Sequence, residues 1–297
     1  MKVLVTGASG FLGAWVIKHL LAAGHEVRAF DLNADPSIVQ AVAGGAAEAV
    51  QWQTGDITDA AQVEQAVAGC DAVIHLAGML ANGCAQRPVL GAQVNLIGTL
   101  NVFEAAIKAG TAKILYASSC SVFGPEDGSQ PFPITHYGAF KLATEGAARA
   151  YWHEHGISSI GLRPMVIYGP ERGPGMSSGP SLACRAAVRG EAYEMSFTGV
   201  TGLVYVEDVA VACELALRAP LEGAETFVMA GEIASIDTVM QEIRAQVPGA
   251  RLSAQGQPLP FPSQFAADNL YQVLPGVPRT SLKDGLKRTL AFYQAAS

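Results

Sequence analysis

Tyr137 and Lys141 stand four apart in YGAFKLATEGAARAYWHEH, a stretch of helical period, so a phenol and an ammonium share one helix face one turn apart. A phenol titrates near about 10 and is a poor base at neutral pH. A cation beside it favours the phenolate, and such a pair can take a proton from a hydroxyl or return one. The same spacing also suits two surface residues, so the rest of the chain must decide between them.

A second chemical feature opens the chain. VLVTGASGFLGAW sets Gly7, Gly10 and Gly13 three apart, directly behind an apolar run. Strand, tight turn and helix start offer free N–H groups and a partial positive charge, the setting in which a dinucleotide diphosphate binds. A plain strand-to-helix turn is the alternative. Asp31 closes the next apolar run, about twenty residues on, where a carboxylate accepts from ribose hydroxyls and repels a 2′-phosphate. No Arg or Lys follows it as far as Gln53, which favours NAD over NADP.

Placing these groups requires alternating elements. The pattern predicts them over Lys2–Thr6, Phe11–Ala23, Glu26–Asp31, Ile38–Val42, Ala49–Gln53, Ala60–Ala68, Asp71–Leu76, Gly91–Lys108, Lys113–Ser118, Tyr137–His155 and Ile157–Arg163. Strands this apolar belong to a parallel sheet covered on both faces. The fold class is α/β: a Rossmann-type doubly wound parallel sheet with a smaller C-terminal substrate-binding lobe. The expected division is 1–165 for the nucleotide and the reacting groups and 166–297 mainly for substrate, with about 200–230 returning to the core. Gly and Pro crowd into YGPERGPGMSSGP (Tyr168–Pro180), read as a long loop before a helix at Ser181–Gly190. Further helices are expected over Val206–Ala219 and Ser281–Ala295.

Composition excludes several classes. A net charge of -7, with 15% charged residues and no basic cluster, argues against nucleic acid. Five scattered cysteines without a C-x-x-C pair read as buried thiols in a reducing compartment. The histidines show no metal-ligand pattern; His153 and His155, two apart on a helix, point to different faces. A first strand at Lys2 leaves no room for a signal peptide, and no apolar run reaches about 18 residues. The expectation is a cytoplasmic protein with no membrane partner.

TGASGFLG (Thr6–Gly13) resembles the cofactor loop of the extended short-chain dehydrogenase/reductases, the group that includes sugar-nucleotide epimerases and dehydratases. The resemblance runs on through GDITD (Gly55–Asp59), HLAG (His75–Gly78), VN (Val94, Asn95), ASSCSVFG (Ala117–Gly124), YGAFK (Tyr137–Lys141), RPMVIYGP (Arg163–Pro170), LVYVEDVA (Leu203–Ala210) and TSLKDGL (Thr280–Leu286). It implies that Tyr137 moves the proton, that Lys141 tunes it and holds the ribose, and that Ser119 orients the substrate oxygen. Hydride passes to or from the nicotinamide. It also implies NAD contacts from Gly7, Gly10, Phe11, Leu12, Gly13, Asp31, Leu76, Ala77, Gly78, Pro164 and Val166, with Asp56 and Ile57 at the adenine. On its residue type alone, Asp56 fits a strand-end cap as well. Substrate contacts are expected from Met79, Ser121, Val122, Met165, Met176 and Ser177. Two long helices, Gly91–Lys108 and Tyr137–His155, are a candidate homodimer face.

Departures from the family narrow the substrate. The acid pair that follows the catalytic Ser or Thr in the dehydratases is replaced by Cys120 and Ser121, which removes the proton shuttle for water loss. An Arg that pairs with the substrate diphosphate in nucleotide-sugar relatives falls on Thr201, and no Arg-x-Gly-Asp stretch precedes TSLKDGL. Arg172, Arg185 and Arg189, on the loop or the following helix, are the groups that could still reach a diphosphate. The leading reading is an NAD-dependent dehydrogenase or reductase of a small polar molecule. The alternatives are a sugar-nucleotide epimerase and a non-catalytic dinucleotide sensor.

Overall fold

Val3, Leu4 and Val5 are all fully buried, and Val3 and Val5 belong to one apolar cluster while Leu4 belongs to another. Only a sheet covered on two faces buries alternate residues this way. The computed structural model describes residues 1–262, 264, 265 and 269–295. Its strands are β1 (Lys2–Thr6), β2 (Glu26–Asp31), β3 (Gln51–Thr54), β4 (Ala72–His75), β5 (Lys113–Ala117), β6 (Ser158–Pro164), β7 (Val166–Tyr168), β8 (Tyr193–Met195), β9 (Val200–Tyr205), β10 (Ala224–Met229), β11 (Glu232–Ser235) and β12 (Leu252–Ala254).

Seven of them form one parallel sheet in the order β10-β6-β5-β4-β1-β2-β3. The order reverses between β1 and β4, which opens a crevice beyond their C-terminal ends, where ligands bind in doubly wound folds. Helices Phe11–Ala22, Ser37–Ala43 and Val206–Arg218 pack together on one side; Ala60–Val67, Gly98–Ala109 and His136–His155 pack together on the other. Local chemistry sets their ends. The Asp59 side chain accepts the Ala61 and Gln62 N–H groups and Thr135 accepts that of Gly138, while Gly110 and Gly156 close their helices in the left-handed region.

Beyond β6, strands β11, β9 and β7 form a small sheet and β12 pairs with β8. β10 rejoins the main sheet beside β6.

Several elements differ from the sequence pattern. Gly44–Ala49 is a 3-10 turn and the strand begins only at Gln51, because GGAAEA has no branched or aromatic side chains to pack on a sheet. The single helix predicted over Gly91–Lys108 is split into Pro88–Ala92, a π-helical turn Gln93–Ile97, and Gly98–Ala109. The fully buried Asn95 sits in that turn. A short helix, Ala81–Gln86, has no counterpart in the pattern. Among the described residues no helix is long and apolar enough to cross a membrane, and no cluster of His, Cys, Asp and Glu could hold a metal ion. All five cysteines are buried and none forms a disulfide.

Candidate active site

Gly7 follows β1 with φ of 70°, and a Cβ there would lie 2.7 Å from the Ala77 nitrogen. A Cβ on Gly13 would collide with the Gly7 carbonyl, so both positions admit only glycine. Gly10 precedes Phe11–Ala22 without any side-chain cap, and the first turn of that helix carries no acid. Its leading N–H groups and the positive end of its dipole are left for an anion. Beside them the Asp31 carboxylate accepts the Ser9 N–H at 3.0 Å. A diphosphate on the turn and a ribose on Asp31 fit this cradle. Asp56 uses Oδ1 to accept the N–H and hydroxyl of Thr58, both at 2.8 Å, as a local cap. Ile57 is buried, and a Cβ on Gly98 would stand 3.0 Å from it.

Under the crevice the ends of β1 and β4 are tied by one line of hydrogen bonds. The Leu76 and Ala77 N–H groups each donate to the Thr6 hydroxyl at 3.2 Å, and that hydroxyl donates to His75 Nδ1 at 2.7 Å. The Thr99 hydroxyl donates to the Asn95 carbonyl at 2.7 Å, so it accepts from His75 Nε2 at 3.0 Å. These partners assign the imidazole its Nε2–H tautomer. Burial, with the Lys141 charge adding to it, pulls His75 down to about 3, and the ring is neutral.

Tyr137, Lys141 and Glu145 follow at four-residue intervals along one helix face. Lys141 Nζ donates to the Ala117 carbonyl at 2.5 Å, and burial pulls the ammonium down to about 8. A Cβ on Gly78 would come within 3.8 Å of that nitrogen. Arg163 pairs with Glu145 through two bonds of 2.7 and 2.6 Å. The Ser118 hydroxyl donates to the same carboxylate at 2.5 Å, which ties the helix to β5 and β6.

Burial pushes the Tyr137 phenol up to about 12, against the pull of Ser119 and of the Arg172 charge. The sequence reading makes Lys141 the group that favours the phenolate; in the structure Ser119 and Arg172 face it as well. Ser119 Oγ donates to Ser121 Oγ and accepts the Ser121 N–H, both at 3.1 Å.

A cavity of about 310 Å³ opens beside Tyr137 and Ser119. Of the expected substrate contacts, Ser121, Met165, Met176 and Ser177 line it; Pro164 and Val166 do as well. Val122 and Met79 do not. The 3-10 turn Cys120–Val122 rotates Val122 into the core, where it is fully buried. Asn95 clamps the Met79 backbone on both sides, accepting its N–H at 3.2 Å and donating to its carbonyl at 3.1 Å. The Met79 side chain lies under Gly83, where an added Cβ would stand 2.7 Å from it.

Asn95, Glu145 and Arg163 carry no role in the sequence pattern, and Arg172 figures there only as a reach toward diphosphate. Glu145 carried a signal, its place one turn beyond Lys141 on the same face. Arg172 is set by its neighbours: Glu171 adopts φ of 65°, the one positive φ outside glycine among the described residues. The Glu171 N–H donates to Tyr293 Oη at 2.9 Å, and Trp15 Nε1 donates to the Pro170 carbonyl at 3.2 Å. The Arg172 guanidinium then lies 5.4 Å from the centre of the Phe11 ring, and its Nη2 donates to Ser177 Oγ at 3.0 Å. Among the described residues its Nε is buried without a partner, as is the Thr201 hydroxyl on β9.

Known proteins resemble the chain across this whole framework. UDP-glucose 4-epimerase of Mycolicibacterium smegmatis is 27% identical over 100% of both chains. Tetraketide alpha-pyrone reductase 1 of Arabidopsis thaliana is 28% identical over 70% of each. The structure of MoeE5 in complex with UDP-glucose and NAD superposes with a TM-score of 0.85 at 26% identity, covering 100% of this chain and 99% of that one. Residues 3–230 match the NAD dependent epimerase/dehydratase family. With that match over three glycines in an uncapped strand-to-helix turn and a Tyr-Lys pair beneath a cavity, the chain belongs to this family of the extended short-chain dehydrogenase/reductases, and its cofactor is NAD.

Proposed function

We propose that the protein is a dehydrogenase or reductase that moves hydride between NAD and the hydroxyl-bearing carbon of a small polar molecule: a free sugar, a sugar acid or a similar alcohol. The observation that carries this reading is the lining of the cavity. Among the described residues, hydroxyls, thioethers, apolar side chains, the Asn82 amide and one guanidinium surround it; outside that lining, Thr201, in the place of the relatives' diphosphate-binding arginine, is buried with its hydroxyl unpartnered among the described residues. A buried diphosphate needs several charged partners.

In this reading Gly7, Gly10 and the N–H groups of Phe11, Leu12 and Gly13 hold the cofactor diphosphate, and Asp31 holds the ribose. Asp56 and Ile57 flank the adenine, with Leu76–Gly78, Pro164 and Val166 toward the nicotinamide end. NAD, when bound, supplies the hydride acceptor. Tyr137 takes the hydroxyl proton at Oη during oxidation and returns it during reduction, Ser119 orients the substrate oxygen, and Lys141 favours the phenolate and holds the ribose. Residues 1–165 carry this machinery and 166–297 mainly shape the substrate side, with about 200–230 returning to the core.

A sugar-nucleotide epimerase is the second reading. The full-length likeness to a UDP-glucose complex favours it, and it would use the same Tyr137 and Lys141 without net NADH. NADH absorbance over a panel of free sugars, sugar acids and nucleotide sugars tests the two. The expected result is NADH from a free sugar or acid, and no calorimetric binding of UDP at millimolar concentration to the NAD complex. Saturable UDP binding in the micromolar range would promote the epimerase. Tyr137→Phe should lower turnover by roughly 10² to 10⁴ while leaving NAD affinity nearly intact; undiminished turnover would identify another base.

A further inference from the structure

Among the described residues, Arg172 is the one charged side chain that lines the cavity beside Tyr137. A guanidinium stays protonated at physiological pH and presents its N–H donors in a rigid planar fork. Here that fork is underused: Nη2 meets the Ser177 hydroxyl, and Nε is buried with no acceptor among the described residues. Among the described residues no Asp or Glu lines the cavity to compensate the charge. Arg172 as a whole is partly exposed while its Nε is shut off from water, so an anion that binds there would complete a cation that is short of partners.

The backbone around Arg172 is built to keep it so. Glu171 occupies the left-handed region, which a side-chain-bearing residue adopts at a cost, and such positions gather at ligand clamps. Two bonds from distant elements hold the turn, Tyr293 Oη on the Glu171 N–H and Trp15 Nε1 on the Pro170 carbonyl. The Phe11 ring backs the guanidinium. Arg172 and Tyr137 line the same cavity, so an anion on Arg172 shares that space with the reacting oxygen.

Charge count and shape select the anion. Arg185 and Arg189, the other basic residues of this segment, do not line the cavity, so one positive charge is present for one negative. A phosphate monoester brings nearly two, whereas a carboxylate brings one and matches the fork through two parallel bonds. We propose that the substrate is a hydroxy acid whose carboxylate pairs with Arg172 while its hydroxyl faces Tyr137 and Ser119. This rests on the small-substrate reading above. In the oxidative direction the carbinol C–H bond breaks and its two electrons pass with the hydride to NAD. The O–H proton goes to Tyr137, a C=O bond forms, and the product is the oxo acid.

The test uses the NAD-bound protein with gluconate, glucuronate and 3-hydroxybutyrate. Glucose, 1,3-butanediol, inorganic phosphate and UDP serve as the opposing probes. Melting temperature and NADH absorbance are both followed. At least one carboxylate should raise the melting temperature saturably and yield NADH. Its apparent affinity should fall tenfold or more in Arg172→Gln, be partly recovered in Arg172→Lys, and fall severalfold in Ser177→Ala. NAD affinity should stay within twofold in all three. The proposal is overturned if no carboxylate stabilises the protein or if they do so equally in Arg172→Gln. A tenfold loss of NAD affinity in Arg172→Gln overturns it too, by assigning Arg172 to the cofactor diphosphate. Equal turnover of an uncharged sugar by wild type and Arg172→Gln would reject the hydroxy acid and leave the oxidoreductase standing. Micromolar UDP binding would reject the small-substrate reading itself.

Discussion

The floor of the crevice and the wall of the cavity handle buried polar groups in opposite ways. Along the floor, Thr6, His75, Thr99, Asn95, Lys141, Ser118 and Glu145 are joined to one another or to backbone. On the wall, the Arg172 Nε is buried without a partner among the described residues; beyond that lining, on β9, the Thr201 hydroxyl is buried unpartnered too. A saturated polar network has one low-energy arrangement, so it holds the reacting groups in place before any ligand arrives. An unsaturated wall gains its partners only from what binds.

The most severe way to break the closed side is Glu145→Ala. Its side chain is fully buried and Arg163 is 14% exposed, so the variant strands a guanidinium. The expected loss is about 3–5 kcal/mol in denaturant unfolding, whereas the double variant Glu145→Leu with Arg163→Met should recover most of it. A loss in Glu145→Ala below about 1 kcal/mol would mean that the floor is less tightly coupled than its bonds imply.

A smaller effect should come from pH. The folded His75 titrates near 3, the unfolded one near its ordinary value of 6.5. Between these values the unfolded chain takes up a proton that the folded chain refuses, so stability falls as pH drops below 6.5. The slope contributed by this ring is about 1.4 kcal/mol per pH unit. Unfolding free energies of wild type and His75→Gln, compared from pH 7 to 4.5, should converge toward acid. Parallel curves would show that the ring charges in the native state.

The mildest comparison applies one isosteric change to a partnered hydroxyl of the floor and to the unpartnered one on β9. Thr99→Val removes the acceptor of His75 Nε2–H and should cost about 1–3 kcal/mol. Thr201→Val removes a buried hydroxyl that has no partner and should be neutral or stabilising by up to about 1 kcal/mol. Equal losses from the two would erase the distinction between partnered and unpartnered buried hydroxyls.

This contrast also marks what was legible in the sequence. The strands, the glycine turn and the Tyr137–Lys141 pair depend on short-range period and spacing, and those patterns lie open in the chain. The π-helical turn at Gln93–Ile97 depends on where the Asn95 side chain finds its partners, which no period of apolar residues encodes. The Glu145–Arg163 pair joins residues 18 apart on different elements. Val122 was misread because a 3-10 turn shifts which side chain faces inward, and the aim of Arg172 follows from a backbone angle at its neighbour. The cofactor side is written in local motifs, the substrate side in tertiary contacts.

Tyr293, which fastens the Glu171 turn, lies 122 residues downstream of it. In the order of synthesis, the floor has all its residues once Arg163 has emerged, since Thr6, His75, Thr99, Lys141 and Glu145 precede it. The turn that carries Arg172 is pinned only after those further residues have been made. A growing chain therefore gathers the parts of its nucleotide cradle well before it can finish its substrate wall, and the selectivity of the site is the last feature to be completed.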